Sequence, residues 1–255
     1  MLTVFLLKWI EEGNRVIVTN LPGLPVAVTN AAAVAVETKV YIAGGETVSG
    51  SSNQFLVLDL NDIIGGWKQL PSLPQSISHT VLTVQLNSHG AGIYAAGGRK
   101  KNENGISELY SSLFEFDLLK NEWIIKRSLP YALSAGTGSA TGSNSILLFG
   151  GDKGEIFHKT EVLIAAIHKE TNVEKREVLN KEKIYLQSSH PGFSKEVLHY
   201  NTLKDEWKII DSMPFEVPVT TTAIRWKDYV LIPAGEIKAG VRTPLVWQGK
   251  INIDR

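Results

Sequence analysis

The side chains best placed to do chemistry recur at one position. Glu46, Arg99, Asp152 and Glu236 each follow an apolar run that ends in glycine, at residues 40–45, 93–98, 146–151 and 230–235. Carboxylates transfer protons when their pKa suits the task. An arginine neutralises and orients an acidic ligand bidentately. The fourth copy is the richest. Its doublet is Ala234-Gly235, and residues 236–243 carry a carboxylate, two cations (Lys238 and Arg242) and a second glycine. A Glu and an Arg on one tight loop can face the same ligand. The competing reading is structural, because a turn after glycines is exposed and favours polar residues, and Glu236 with Arg242 can be a local ion pair. The residues alone leave both open.

Such a recurring position needs a repeating scaffold. Gly45 to Gly98 spans 53 residues, as does Gly98 to Gly151, while Gly151 to Gly235 spans 84. Trp67, Trp123 and Trp207 run in phase with the doublets, each after an alternating strand that ends at Asp59, Asp117 or Asn201. Leu-Pro or Met-Pro loops follow at Pro71 and Pro74, Pro130 and Pro214. Four short strands in about 50 residues make one propeller blade. The glycines allow a tight strand exit, and the tryptophan supplies packing surface on an outer strand. The pattern resembles the kelch repeat, which implies an all-β, kelch-type β-propeller.

Residues 29–73, 78–129, 136–214 and 219–253 form four units. Residues 2–7 and 15–20 match only the last two strands of another. The expectation is therefore a single domain over residues 1–255 with about four and a half blades, so that either part of the ring is absent or the ring closes in an unusual way. The third unit carries an insertion at 158–193 that reads as helix over 160–168 and 174–186, with Leu163, Ala166 and Ile167 on one face and Val178 and Leu179 on another. It is either a surface excursion or a lid. Equivalent positions in successive blades share one level, so Glu46, Arg99, Asp152 and Glu236 are expected around one mouth of the channel, where a polar small molecule would bind.

Composition removes other classes. Lys plus Arg and Asp plus Glu are both 26, which argues against a broad basic field for nucleic acid. Cysteine is absent, so there is no disulfide framework or cysteine nucleophile. The six histidines form no HxH or HExxH pair, and no metal site is expected. Residues 136–142 look like a phosphate loop but precede a strand, and read as a small-residue inner strand. No apolar run is long enough for a membrane span. The apolar start, residues 1–7, has no basic region before it and no cleavage site after it, so it reads as a strand rather than a signal peptide.

The loop Gly235-Glu236-Ile237-Lys238-Ala239-Gly240-Val241-Arg242-Thr243 resembles the Gly-Glu-x-Lys-x-Gly-x-Arg-Thr stretch of bacterial N-acetylneuraminate epimerases, the sialic acid mutarotases. The insertion after the third doublet matches that family's layout, and the blade order resembles its circularly permuted branch; the resemblance implies a six-bladed kelch-type propeller of which the N-terminal blades are lacking here. The resemblance implies interconversion of the α and β anomers of N-acetylneuraminate by acid/base ring opening, with no cofactor and no metal. It implies Glu236 as the proton-transferring group and Arg242 as the holder of the substrate carboxylate. Arg99, Glu46 and Asp152 are the further substrate-binding candidates. The partner is a small acidic sugar. The resemblance points to the periplasm, and the oligomeric state stays open, a homo-oligomer included. The alternative is a non-catalytic kelch module that binds protein or glycan.

Overall fold

A computed structural model describes residues 3–251. Leu2 of the first expected strand and the end of the fourth unit at Ile253 lie outside the described residues. Backbone contacts divide the chain into two units, Met1–Ser78 and His79–Arg255.

In the first unit, β1 (Val4–Ile10) and β2 (Arg15–Leu21) form an antiparallel hairpin in continuous register. There follow β3 (Ala32–Val36), β4 (Lys39–Ala43), β5 (Glu46–Thr47), β6 (Gly50–Ser51), β7 (Phe55–Asp59) and β8 (Lys68–Gln69). The sheet order is β3-β4-β7-β8, with β5-β6 as a separate ribbon. Ala43, Phe55 and Leu58 are fully buried on this sheet. Trp67 donates its indole N–H to the Pro22 carbonyl at 2.9 Å, tying the outer edge to the preceding hairpin.

The second unit repeats the plan. β9 (Val81–Leu86), β10 (Ala91–Ala96), β13 (Leu113–Asp117) and β14 (Glu122–Lys126) form one antiparallel sheet, with β11 (Arg99–Lys101) and β12 (Ser107–Leu109) as a ribbon at the exit of β10. β15 (Thr137–Thr141), β16 (Ser145–Phe149), β17 (Glu196–Asn201) and β18 (Glu206–Ser212) form the next, and β19 (Ile224–Trp226), β20 (Tyr229–Lys238) and β21 (Val241–Lys250) a three-stranded sheet. The glycine-rich stretch at 136–142 supplies a strand, β15, at one end of its sheet, as expected of a segment that is not a phosphate loop.

The core of this unit lies between sheets. Tyr94, Leu113, Ile146, Leu148, Leu198 and Tyr200 pack together from the first two. Leu147, Phe149, Val197, Val217, Val230 and Ile232 do so from the second and third. Strands with both faces covered read as near-continuous apolar runs, which is why residues 145–149 show no alternation.

The doublets are required sterically. A Cβ on Gly97 would lie 2.3 Å from the Leu133 carbonyl oxygen, and one on Gly44 would lie 2.2 Å from that of Ile77, both on the loop that enters the following sheet. Second glycines meet the loop entering their own sheet, Gly45 against Val28 and Gly151 against Leu133. In the fourth copy Ala234 keeps the left-handed backbone at φ 45° and is exposed, while Gly235 still faces the Val219 carbonyl oxygen at 2.7 Å from an added Cβ.

The insertion is two helices, α1 (Glu155–Lys169) and α2 (Val173–Ser188), and α1 begins earlier than the sequence pattern places it. Its N-cap is Gly154 at φ 91°, whose N–H donates to Asp152 Oδ1 at 2.7 Å. Leu163, Ala166 and Ile167 are half-buried as expected. Val178 is exposed, unlike half-buried Leu179.

Candidate functional site

Each loop entering a sheet ends in a non-glycine residue held left-handed: Asn30, His79, Ala135 and Thr220, at φ 55°, 54°, 57° and 53°. Such backbone is costly, most of all for a β-branched threonine, and persists only where its surroundings enforce it. Here hydrogen bonds enforce it. The residue just before it bridges to the charged residue after the doublet, as Thr29–Glu46, Ser134–Asp152 and Val219–Glu236. In the second unit Ala135 N–H donates to the His79 carbonyl at 2.9 Å and Thr220 N–H to the Ala135 carbonyl at 3.1 Å. The exits carrying Asp152 and Glu236 are thereby strung together, and His79, on the loop entering the sheet of Arg99, joins the same chain of bonds.

The side chains differ in what they meet. Glu46, in the first unit, accepts from Asn30 Nδ2 at 3.0 Å and from Ser78 Oγ at 2.9 Å. Those bonds give it a structural duty within that unit. At the equivalent place His79 Nε2 lies 3.5 Å from Arg99 Nη2. Ala135 and Thr220 offer Asp152 and Glu236 no comparably long side chain.

Arg99 opens β11, and its guanidinium lies 4.5 Å above the ring centre of Phe157 on α1, a cation–π contact. Asp152 stands at the turn into α1. Burial raises its pKa, opposed by the Gly154 amide and by the charges of His190, Arg99 and His158. His190 is buried, packs against Phe193 at 4.9 Å and lies with Nδ1 3.0 Å from the Gly192 nitrogen. Beside this group Lys153 and Tyr131 both donate to Glu196, at 2.7 and 2.5 Å. The Lys153 bond, then the Tyr131 bond, hold Glu196 below the usual carboxylate range. Burial, then the bond to Glu196, pushes Tyr131 up to about 12.

Glu236 and Arg242 are register partners across the β20–β21 hairpin, in a stretch with bulges at Pro233/Gly235 and Glu236/Lys238. Bulges re-aim side chains beside functional sites. The Glu236 carboxylate takes its hydrogen bond from the Gly240 amide at 2.8 Å, not from the Arg242 guanidinium. Glu236 is half-buried and Arg242 exposed. A carboxylate pinned by one amide, with a cation opposite, can exchange a proton with one part of a ligand while the cation holds another.

The structure thus brings Arg99 and Asp152 together with His79, Phe157, His158 and His190, a group that sequence reasoning missed. One signal was available: His79 falls at the same offset from its Leu-Pro loop as Asn30 and Ala135. Nothing local marks Phe157. Among the described residues no group of three or more His, Asp or Glu side chains is placed to share a metal ion. No helix there is long and apolar enough to cross a membrane.

A family model described as N-acetylneuraminate epimerase matches residues 21–255. The N-acetylneuraminate epimerase of Salmonella typhimurium (strain LT2) is 26% identical over 243 residues, covering 93% of this chain and 60% of that protein. That of Vibrio vulnificus (strain YJ016) is 24% identical over 227 residues, covering 87% and 57%. The chain therefore spans about 60% of the length of these curated relatives. A solved structure described as that of YjhT aligns with a TM-score of 0.73 at 18% identity, covering 90% of this chain and 65% of that one. That neighbour is a kelch-type β-propeller, and the present antiparallel sheets are of the same fold class.

Proposed function

The chain belongs to the N-acetylneuraminate epimerase family, and from that premise we propose that the protein interconverts the α and β anomers of N-acetylneuraminate. The observation that carries the reading is the hairpin at 235–243, where half-buried Glu236 is pinned by the Gly240 amide and stands in register opposite Arg242.

Arg242 pairs with the sugar's carboxylate. Glu236 takes the proton of the anomeric hydroxyl as the carbonyl forms. The bond from the anomeric carbon to the ring oxygen breaks, and Glu236 delivers the proton it took to that oxygen. Rotation in the open keto acid exposes the other carbonyl face. The same hydroxyl then adds back, the proton transfers reverse, and nothing is gained or lost overall. The scheme draws on no redox cofactor and no metal. Arg99 serves as a second anchor for the anion. Asp152, whose burial favours the neutral acid, donates to a sugar oxygen.

Proton NMR of freshly released α-N-acetylneuraminate tests the proposal. The β anomer is expected to appear faster with protein than in buffer at the same pH. An unchanged rate with folded protein refutes it.

A further inference from the structure

Arg99 sits on a short ribbon, β11–β12, at the exit of β10, and α1 packs against it. The Glu161 carboxylate, on the second turn of α1, accepts the Ser107 N–H and the Ser107 hydroxyl, each at 2.7 Å. Both residues are buried, at 8% and 4% exposure. His158 Nε2 lies 2.8 Å from the Ser107 carbonyl oxygen. Three polar atoms of Ser107 are thus engaged by one helix, and Ser107 is the register partner of Lys101, two residues from Arg99. The first turn seats closely as well. A Cβ on Gly154 would come within 2.9 Å of Leu109 Cδ2, and Leu109 is the register partner of Arg99 itself. From this seat Phe157 presents its ring to the Arg99 guanidinium at 4.5 Å.

We propose that α1 of the insertion is a brace that sets Arg99 for an anionic ligand, with Phe157 as the positioning residue and Glu161 and His158 as the clamp on the ribbon. The proposal rests on the reading of Arg99 as an anchor for the sugar's carboxylate. The contact is one of orientation. A ring face holds a guanidinium plane while leaving its N–H edge directed sideways, the geometry that a carboxylate takes up bidentately. A clamped ribbon also spares the ligand the entropy of ordering Arg99.

The test compares Phe157→Leu, which keeps apolar bulk and removes the π face, with Phe157→Tyr, which keeps the face. Phe157→Leu is expected to raise KM for N-acetylneuraminate about fivefold with kcat within about twofold, and Phe157→Tyr to restore the wild-type KM. An unchanged KM in Phe157→Leu, an equal loss in both variants, or a fall in kcat alone overturns the proposal. If the wild-type protein does not accelerate anomer exchange, the proposed function fails and the brace is judged by amide hydrogen exchange over residues 99–109. Faster exchange there in Glu161→Gln supports the brace, and unchanged exchange overturns it.

Discussion

Replacing Gly97 by alanine sets the steric account of the doublets against simple glycine permissiveness. Gly97 has φ 60°, so an alanine there bears the left-handed penalty of about 1–2 kcal/mol. The stiffer unfolded chain returns about 0.4–1 kcal/mol. The backbone effects leave a net cost of about 1 kcal/mol or less, and the larger part of the outcome turns on the new Cβ, 2.3 Å from the Leu133 carbonyl oxygen and 3.3 Å from its carbon. The carbonyl cannot simply retreat. It accepts the Gly98 N–H at 2.7 Å, and Leu133 is part of the core between the first two sheets of the second unit. Displacing it loses a hydrogen bond worth about 1 kcal/mol and imposes overpacking strain of about 1–3 kcal/mol. The expected loss is about 3 kcal/mol. Ala234→Gly supplies the contrast, because Ala234 is exposed at φ 45°. Relief of strain there offsets the added unfolded freedom, and stability should stay within about 1 kcal/mol of wild type. Equilibrium urea denaturation followed by tryptophan fluorescence reads both. A Gly97→Ala loss below about 1 kcal/mol, or an equal loss in Ala234→Gly, refutes the reasoning.

Three further outcomes follow from the same geometry. Glu236→Gln should slow anomer exchange by about 10²–10⁴-fold while leaving the urea midpoint in place, since a glutamine oxygen still accepts the Gly240 N–H; full activity by NMR would remove Glu236 from the chemistry. Glu161→Ala strips a charged acceptor from two buried donors on Ser107, so it should cost about 2–4 kcal/mol in urea titrations, and Glu161→Gln should cost less. Burial favours the neutral form of Asp152 in the folded state, so the native protein keeps a proton that the unfolded chain releases once pH passes the ordinary value of 3.8. Wild-type stability is therefore drained as pH rises from there towards the folded pKa. Asp152→Asn escapes that loss, and its urea midpoint relative to wild type should climb over the same interval; a flat or falling difference contradicts the burial argument.

Glycine doublets, alternating strands, phased tryptophans and Leu-Pro loops were legible in the chain because each answers a local demand. Period-two alternation, a strand exit without a Cβ and a fixed proline φ are met within a few residues. The three four-stranded sheets, the three-stranded sheet and the hairpin follow from them in order. Helix limits were less legible, since α1 starts from a left-handed Gly154 capped back to Asp152, a contact that periodicity does not register. The candidate site divides in the same way. Glu236 and Arg242 are six residues apart, and their place on one tight loop could be read from the chain, whereas the bond from the Gly240 amide to the Glu236 carboxylate could not. Tertiary structure decided the rest. It engaged Glu46 with Asn30 and Ser78, set His79 beside Arg99, and laid Phe157 under a guanidinium 58 positions earlier. The sequence by itself determined which positions are equivalent, because equivalence is a matter of repeated local geometry. Which of those equivalent charges is engaged, braced or left to meet a ligand depends on neighbours brought in from other strands and from the inserted helix, and only the folded chain brings them there.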